Sequence, residues 1–119
     1  MAGFLKLRAL GIDPEEGMAY CAEDAEFYRE MLEEYVSAAG STLAELERFF
    51  AEGNWQRYGI LAHSIKSTSR TIGATAFAER ARELELAAKE GRTEALRAHH
   101  AGFAAAYRTL AEGVRAALD

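Results

Sequence analysis

The sequence predicts an all-α fold, an antiparallel up-down four-helix bundle with one short extra helix at its N-terminus. Half of the 119 residues are hydrophobic, which is enough for the core of a single domain spanning residues 1–119. Helix-favouring residues dominate, and runs of the β-branched residues that favour strands are missing. Apolar residues recur at spacings of three and four in long segments that short connections join, so neighbouring helices should run antiparallel.

Aspartates mark the first two helix starts. Asp13 precedes Pro14 and has a glutamate three residues later, so a short helix should follow, to about Tyr20. Asp24 should cap a longer segment, in which the glycine and serine at 40–41 predict a bend or a division into two helices. The apolar stripe of that segment consists of Tyr28, Leu32, Tyr35, Ala39, Leu43, Leu46 and Phe50.

Three further helices are predicted at 54–72, at about 75–90 and from about 93 onwards, separated by glycines at 53, 73 and 91. Their apolar stripes should complete the core. The stripes are Tyr58, Leu61, Ile65, Thr68 and Ile72, then Phe77, Ala81, Leu84 and Ala88, and finally Leu96, His100, Phe103, Tyr107, Leu110 and Val114. Trp55 and Cys21 are also expected to pack against the bundle.

Charge and cysteine content argue against several classes of protein. The net charge of −5 makes nucleic acid an improbable main partner. The single cysteine allows no intramolecular disulfide, and no uncharged stretch is long enough to enter and cross a membrane. We therefore expect a cytoplasmic chain. A domain cut from a longer membrane receptor would have the same composition, and that alternative stays open.

His63 stands out on the helix predicted at 54–72. At about 100° per residue, it lies about 180° from the apolar stripe, so its ring should point away from the core. Gly59 and Ser67 lie one turn before and after it on the same face, and Lys66 and Arg70 lie alongside. Small neighbours leave an imidazole accessible, and cations suit an anion. The mid-helix glycine costs about 1 kcal/mol relative to alanine and has no evident packing benefit.

The chain also keeps this region free of carboxylates, because no Asp or Glu occurs between Glu52 and Glu79. An exposed histidine on a helix is most often an ordinary surface residue. The combination of small flanking residues, adjacent cations and absent acids instead favours a site for an anion or a phosphoryl group. No metal site is expected, since the adjacent His99 and His100 diverge by about 100° and cannot chelate as a pair one turn apart would.

The segment LAHSIKSTSRTIGA, residues 61–74, resembles the signature of histidine-containing phosphotransfer (HPt) domains. It has a histidine, a lysine three residues later, a small residue next and Gly-Ala at the helix end. The stretches GIDPEEGMAYCAEDAEFYREML and AEGNW are similar to other parts of those domains, so the resemblance spans nearly the whole chain. Ser67 departs from the family, which usually has glycine there. A serine keeps the approach open, but its hydroxymethyl group would either weaken docking or bind phosphoryl oxygens.

The resemblance implies a phosphorelay intermediate in which His63 accepts a phosphoryl group from a receiver-domain aspartate and passes it to another receiver. Lys66 would offset the phosphoryl charge, and Gly59, Ser67 and Arg70 would contact the partner. The expected partners are response-regulator receiver domains and hybrid histidine kinases.

The resemblance also implies that the receiver supplies Mg²⁺, so that the chain needs no cofactor. Without a glycine-rich phosphate loop, it would be a phosphocarrier and not a kinase. We expect a monomer, either free in the cytoplasm or part of a membrane-anchored hybrid sensor kinase. The alternative, which Ser67 favours, is a helical protein-interaction module of the same fold in which His63 is never phosphorylated.

Overall fold

The computed structural model describes residues 3–119, so the first two residues of the predicted domain lie outside the description. Within that range there are six helices and no strands, which confirms the predicted all-α class. The helices are α1 (Gly3–Ala9), α2 (Pro14–Tyr20), α3 (Ala25–Glu52), α4 (Trp55–Thr71), α5 (Thr75–Lys89) and α6 (Thr93–Leu118). None of these six is long and apolar enough to cross a bilayer.

The four long helices form the bundle. Short connections at 53–54, 72–74 and 90–92 reverse the chain, so consecutive helices run antiparallel. Each long helix packs against two others, α4 against α3 and α5, and α6 against α3 and α5. The molecule measures 42 × 22 × 19 Å, and α3 alone, at about 1.5 Å per residue, spans the long dimension.

Polar caps fix where these helices begin. Asp13, Asp24 and Asn54 cap α2, α3 and α4 by accepting hydrogen bonds from backbone N–H groups of the first turn. Gly53 ends α3 in the left-handed conformation, at a φ of 64°, which a glycine adopts without strain. The predicted starts of these three helices are therefore confirmed.

The N-terminal half differs from the prediction in two respects. The sequence predicts one short helix in front of the bundle, whereas the structure has two, because residues 3–9 form α1, which buries Leu7 and packs against α6. In addition, α3 passes through Gly40 as one helix, so the alternative of a division into two helices is wrong. A methyl group at Gly40 would meet nothing within 4 Å, so the packing does not require a glycine at this position.

The predicted core is largely confirmed. In α6, the whole stripe is buried: Leu96, His100, Phe103, Tyr107, Leu110 and Val114. In α3 and α5, every stripe residue is buried except the last of each, Phe50 and Ala88, which are half-buried. Trp55 makes T-shaped ring contacts with Phe50 and Tyr58, and Cys21 is fully buried, as expected.

The buried stripe of α4 is rotated by about one residue from its predicted place. Leu61 is half-buried and Thr68 is exposed, although the sequence predicts both in the core. Ala62 and Ser69 are buried in their stead. The Ser69 hydroxyl is satisfied by a hydrogen bond of 2.8 Å with the Tyr35 hydroxyl of α3, which permits its burial.

Candidate functional site

His63 lies near the middle of α4, and its side chain is 57% exposed. The ring therefore reaches solvent, as predicted, but one side of it is held. Nδ1 lies 2.8 Å from Oε2 of Glu85, a carboxylate of α5. Within residues 3–119, Nε2 has no hydrogen-bond partner. The two ring nitrogens are thus in different environments, one tethered and one open.

Glu85 is the site residue that the sequence reasoning missed. Its side chain is only 6% exposed, and its two oxygens bind three groups. Oε1 accepts a hydrogen bond of 2.8 Å from Nζ of Lys66, and Oε2 lies 2.8 Å from the His63 ring and 3.4 Å from Nζ of Lys89. Burial by itself would raise the pKa of Glu85, but the hydrogen bonds from Lys66 and His63 outweigh it and lower that pKa to about 2. The carboxylate is therefore ionised throughout the physiological pH range.

The signal for Glu85 was present in the sequence. It shares one face of α5 with three alanines. Ala78 and Ala81 lie seven and four residues before it, and Ala88 lies three residues after it. A lone carboxylate on a buried alanine stripe needs a partner, because an unpaired buried charge is costly. The partner lies on another helix, and spacing along α5 alone does not identify it.

The expectation of a carboxylate-free face is therefore wrong. The stretch between Glu52 and Glu79 contains no acid, but α5 brings Glu85 to His63 and Glu79 to Arg70. The Arg70 guanidinium lies 3.3 Å from the Glu79 carboxylate. Acids distant in sequence thus partly neutralise the cations of this face.

Gly59 has a packing role, so the expectation that this mid-helix glycine brings no packing benefit is wrong. It is buried, and a methyl group added to it would lie 3.1 Å from Cβ of Ala88. The glycine allows α5 to approach α4 closely. Because the two helices are antiparallel, the same approach brings Glu85, one turn before Ala88, to His63, one turn after Gly59.

The remaining predicted site residues differ in accessibility. Lys66 is only 16% exposed and is held by Glu85, so the structure brings it together with His63 through a shared carboxylate. Ser67 is exposed one turn beyond the histidine. Arg70 continues the same face and remains partly exposed beside Glu79.

An open groove of about 520 Å³ borders His63 on the N-terminal side of α4. It lies between α4 and α5, and its lining includes Gln56, Ile60 and Lys89. Ile60 is 64% exposed and also borders a second groove, of about 560 Å³, that reaches α3. An exposed aliphatic side chain one turn from the histidine suits contact with an apolar partner surface. Ile60 was not singled out from the sequence, although its outward position was the available signal.

The other histidines are not part of this site. His100 is buried, stacks on Phe50 with ring centroids 3.9 Å apart, and its Nδ1 lies 2.9 Å from the Tyr58 hydroxyl. It is the core residue that the α6 stripe predicts. His99 is exposed on α6. Among residues 3–119, no group of three or more His, Cys, Asp or Glu side chains is arranged to hold a metal ion.

Fold and site together define a class of protein, an antiparallel helical bundle that presents one tethered, solvent-reaching imidazole on a central helix. Comparison with known proteins agrees with that class. The family model described as the Hpt domain matches residues 30–117, most of the chain, and the chain therefore belongs to the Hpt domain family. Neither the comparison with curated proteins nor the one with solved structures gave a match. Membership of this family gives the chain a phosphotransfer role in two-component phosphorelays.

Proposed function

We propose that the chain is a phosphorelay intermediate that carries a phosphoryl group on Nε2 of His63. The observation that supports this most directly is the unequal environment of the two ring nitrogens. An ionised, buried Glu85 accepts a hydrogen bond from Nδ1–H, which leaves the lone pair of the neutral ring on Nε2. The carboxylate also fixes the ring orientation and stabilises positive charge on the ring, as the buried aspartate does for the histidine of a Ser-His-Asp triad.

The transfer step follows from that tautomer. Nε2 attacks the phosphorus of an aspartyl phosphate in line, the Nε2–P bond forms as the P–O bond breaks, and the aspartate leaves as a carboxylate. No proton has to move, because Nδ1–H stays bound to Glu85 while the ring becomes cationic. Transfer to a second aspartate reverses the step and restores the neutral ring. Such reactions depend mainly on positioning and charge neutralisation. The Mg²⁺ that assists them would be held by the receiver, and the chain would have no autokinase activity.

The partner in this proposal is a receiver domain that docks across α4. A typical interface covers about 800 Å² on each side, much more than one imidazole, so it would extend from His63 in both directions along the helix. Ile60 would lie on one side of the histidine and Ser67 and Arg70 on the other. Gly59 would contribute by holding α5 close to α4, with little surface of its own. We place the chain in the cytoplasm as a monomer, free or within a membrane-anchored hybrid kinase.

A relay assay tests the proposal. The chain is incubated with a radiolabelled phosphorylated receiver and then with a second, unlabelled receiver. Wild-type protein should take up label that is stable in alkali and lost in acid, and should pass it to the second receiver. His63→Gln should take up none and keep its helical circular dichroism.

The matched control is His99→Gln, which removes an exposed histidine from α6 and should be labelled like wild type. Label on His63→Gln would refute the site assignment. A wild-type chain that binds the receivers but never takes up label would favour the second candidate, an interaction module that is not phosphorylated. Ser67, in place of the family's usual glycine, is the one feature that favours that candidate.

A further inference from the structure

We propose that Lys89, and not Lys66, is the cation that contacts the phosphoryl group, whereas Lys66 is a positioning residue that acts through Glu85. This inference rests on the proposed function, because it concerns a phosphoryl group on Nε2 of His63. It reverses the expectation, drawn from the sequence, that Lys66 itself offsets the phosphoryl charge.

Lys66 forms a close ion pair with Glu85. Its Nζ lies 2.8 Å from Oε1, and both side chains are largely withdrawn from solvent. Moving this ammonium toward a phosphoryl group would leave an ionised, buried carboxylate short of a partner, which is costly. Lys66 should therefore remain on the carboxylate and hold it in place for His63.

Lys89 is placed to move. It is the last residue of α5, its side chain is 67% exposed, and its Nζ lies 3.4 Å from Oε2 of Glu85. A long ion pair on an exposed, flexible side chain is weak. Lys89 is therefore able to leave Glu85 while Lys66 and His63 keep that carboxylate satisfied.

Lys89 also lies close to the His63 ring. Its contact is with Oε2, the same carboxylate oxygen that meets Nδ1 of His63. Lys89 and His63 line the same open groove, so the ammonium reaches the edge of the ring without crossing protein. A phosphoryl group carries nearly two negative charges at neutral pH and has oxygens that accept hydrogen bonds from the ammonium. The ammonium keeps its protons, and the Nε2–P bond is unaffected.

Two other cations of this region, Arg70 and Arg82, are paired with a different carboxylate. Arg70 and Arg82 both contact the Glu79 carboxylate, at 3.3 and 3.6 Å. Among the described ion pairs around His63, the one made by Lys89 is the longest and the most exposed. Of the two lysines that contact Glu85, Lys89 is accordingly the one that a new negative charge recruits more easily.

The test uses the chain phosphorylated with potassium phosphoramidate, a small donor that phosphorylates imidazoles without a receiver. The ³¹P signal of the His63 phosphoryl group is assigned by its loss in His63→Gln, and its pKa is then measured by titration. A cation in contact with the group lowers that pKa, so Lys89→Met should raise it by roughly 0.5 to 1 unit. Lys89→Arg should restore most of the wild-type value.

Two further variants make the result specific. Lys6→Met removes the same charge from the exposed surface of α1 and should leave the phosphoryl pKa unchanged. Lys66→Met should shift the phosphoryl pKa less than Lys89→Met does. It should instead change the ¹⁵N shifts of the unphosphorylated His63 ring and lower the melting temperature, since it disturbs Glu85.

A phosphoryl pKa in Lys89→Met equal to that in Lys6→Met would overturn the inference, and so would a larger rise in Lys66→Met than in Lys89→Met. Failure of the proposed function has a different signature. In that case the wild-type chain takes no phosphoryl group on His63 from a phosphorylated receiver, whatever the lysine variants do with phosphoramidate.

Discussion

Replacing Glu85 by glutamine should destabilise the fold and reduce its sensitivity to acid. The pKa of the Glu85 carboxyl is about 2, against an ordinary value of 4.5, because the hydrogen bonds from Lys66 and His63 outweigh the effect of burial. Each pKa unit corresponds to about 1.4 kcal/mol, so at neutral pH the ionised carboxylate contributes roughly 3 to 4 kcal/mol to stability relative to its protonated form. An amide keeps part of the hydrogen bonding, and we expect Glu85→Gln to lose about 2 to 3 kcal/mol at pH 7.

The sign of the pH dependence follows from the direction of the shift. The folded-state pKa is depressed, so the stabilisation is complete above about pH 4.5 and is lost as the pH falls toward 2. The difference in free energy of unfolding between wild type and Glu85→Gln should therefore be constant from pH 7 to pH 6. At pH 3.5 it should be smaller by at least about 1 kcal/mol. Urea denaturation followed by far-ultraviolet circular dichroism measures both quantities.

Glu79→Gln is the matched control on the same helix. Its carboxylate is half exposed and contacts Arg70 and Arg82 at 3.3 and 3.6 Å, so the change should cost less than about 0.5 kcal/mol at pH 7. If Glu85→Gln were as stable as this control, or if its deficit persisted undiminished at pH 3.5, the paired and buried carboxylate described for this site would be refuted.

Gly102→Ala, at an exposed position on α6, should add up to about 1 kcal/mol of stability. Gly59→Ala should add none, because its methyl group would lie 3.1 Å from a neighbouring methyl group. Equal gains of the two variants in urea denaturation would disprove the packing role of Gly59. Burial lowers the pKa of His100, so the free energy of unfolding should fall as the pH drops below about 6.5. His100→Gln should flatten that pH dependence between pH 7 and about pH 5. Parallel stability curves for wild type and variant would contradict this role of His100. Ser67→Gly should leave the rate in the relay assay equal or higher, and a severe loss of rate would make the serine hydroxyl a phosphoryl ligand.

Local patterns in the sequence were sufficient to predict most of the fold. Caps at Asp13, Asp24 and Asn54 and the three- and four-residue spacing depend on nearby residues, and those features were predicted correctly. Helix α1 was missed because its seven residues are too few for a convincing stripe, and its burial of Leu7 depends on α6 at the other end of the chain. The division considered near Gly40 does not occur, and buried residues on either side of it, Ala39 and Leu43, continue one apolar stripe along α3.

The site was predictable only in part, for a related reason. The outward position of His63 follows from the periodicity of α4 alone, and it was predicted correctly. The roles of Gly59 and Glu85 depend on how closely α5 lies against α4. That closeness arises from small residues facing each other across two helices, which no spacing within one helix reveals. The sequence therefore indicated the histidine that we propose as the nucleophile, and the structure was needed to find the carboxylate that holds it.

The identity of the phosphorylated nitrogen decides whether His63 carries the phosphoryl group as we propose. Wild-type chain labelled with ¹⁵N-histidine is phosphorylated by a receiver domain, and ³¹P–¹⁵N coupling in the His63 ring is recorded by NMR. We expect coupling to Nε2 of His63, with the Nδ1 proton still present and bound to Glu85. A phosphoryl group on Nδ1, or on a residue other than His63, would contradict it.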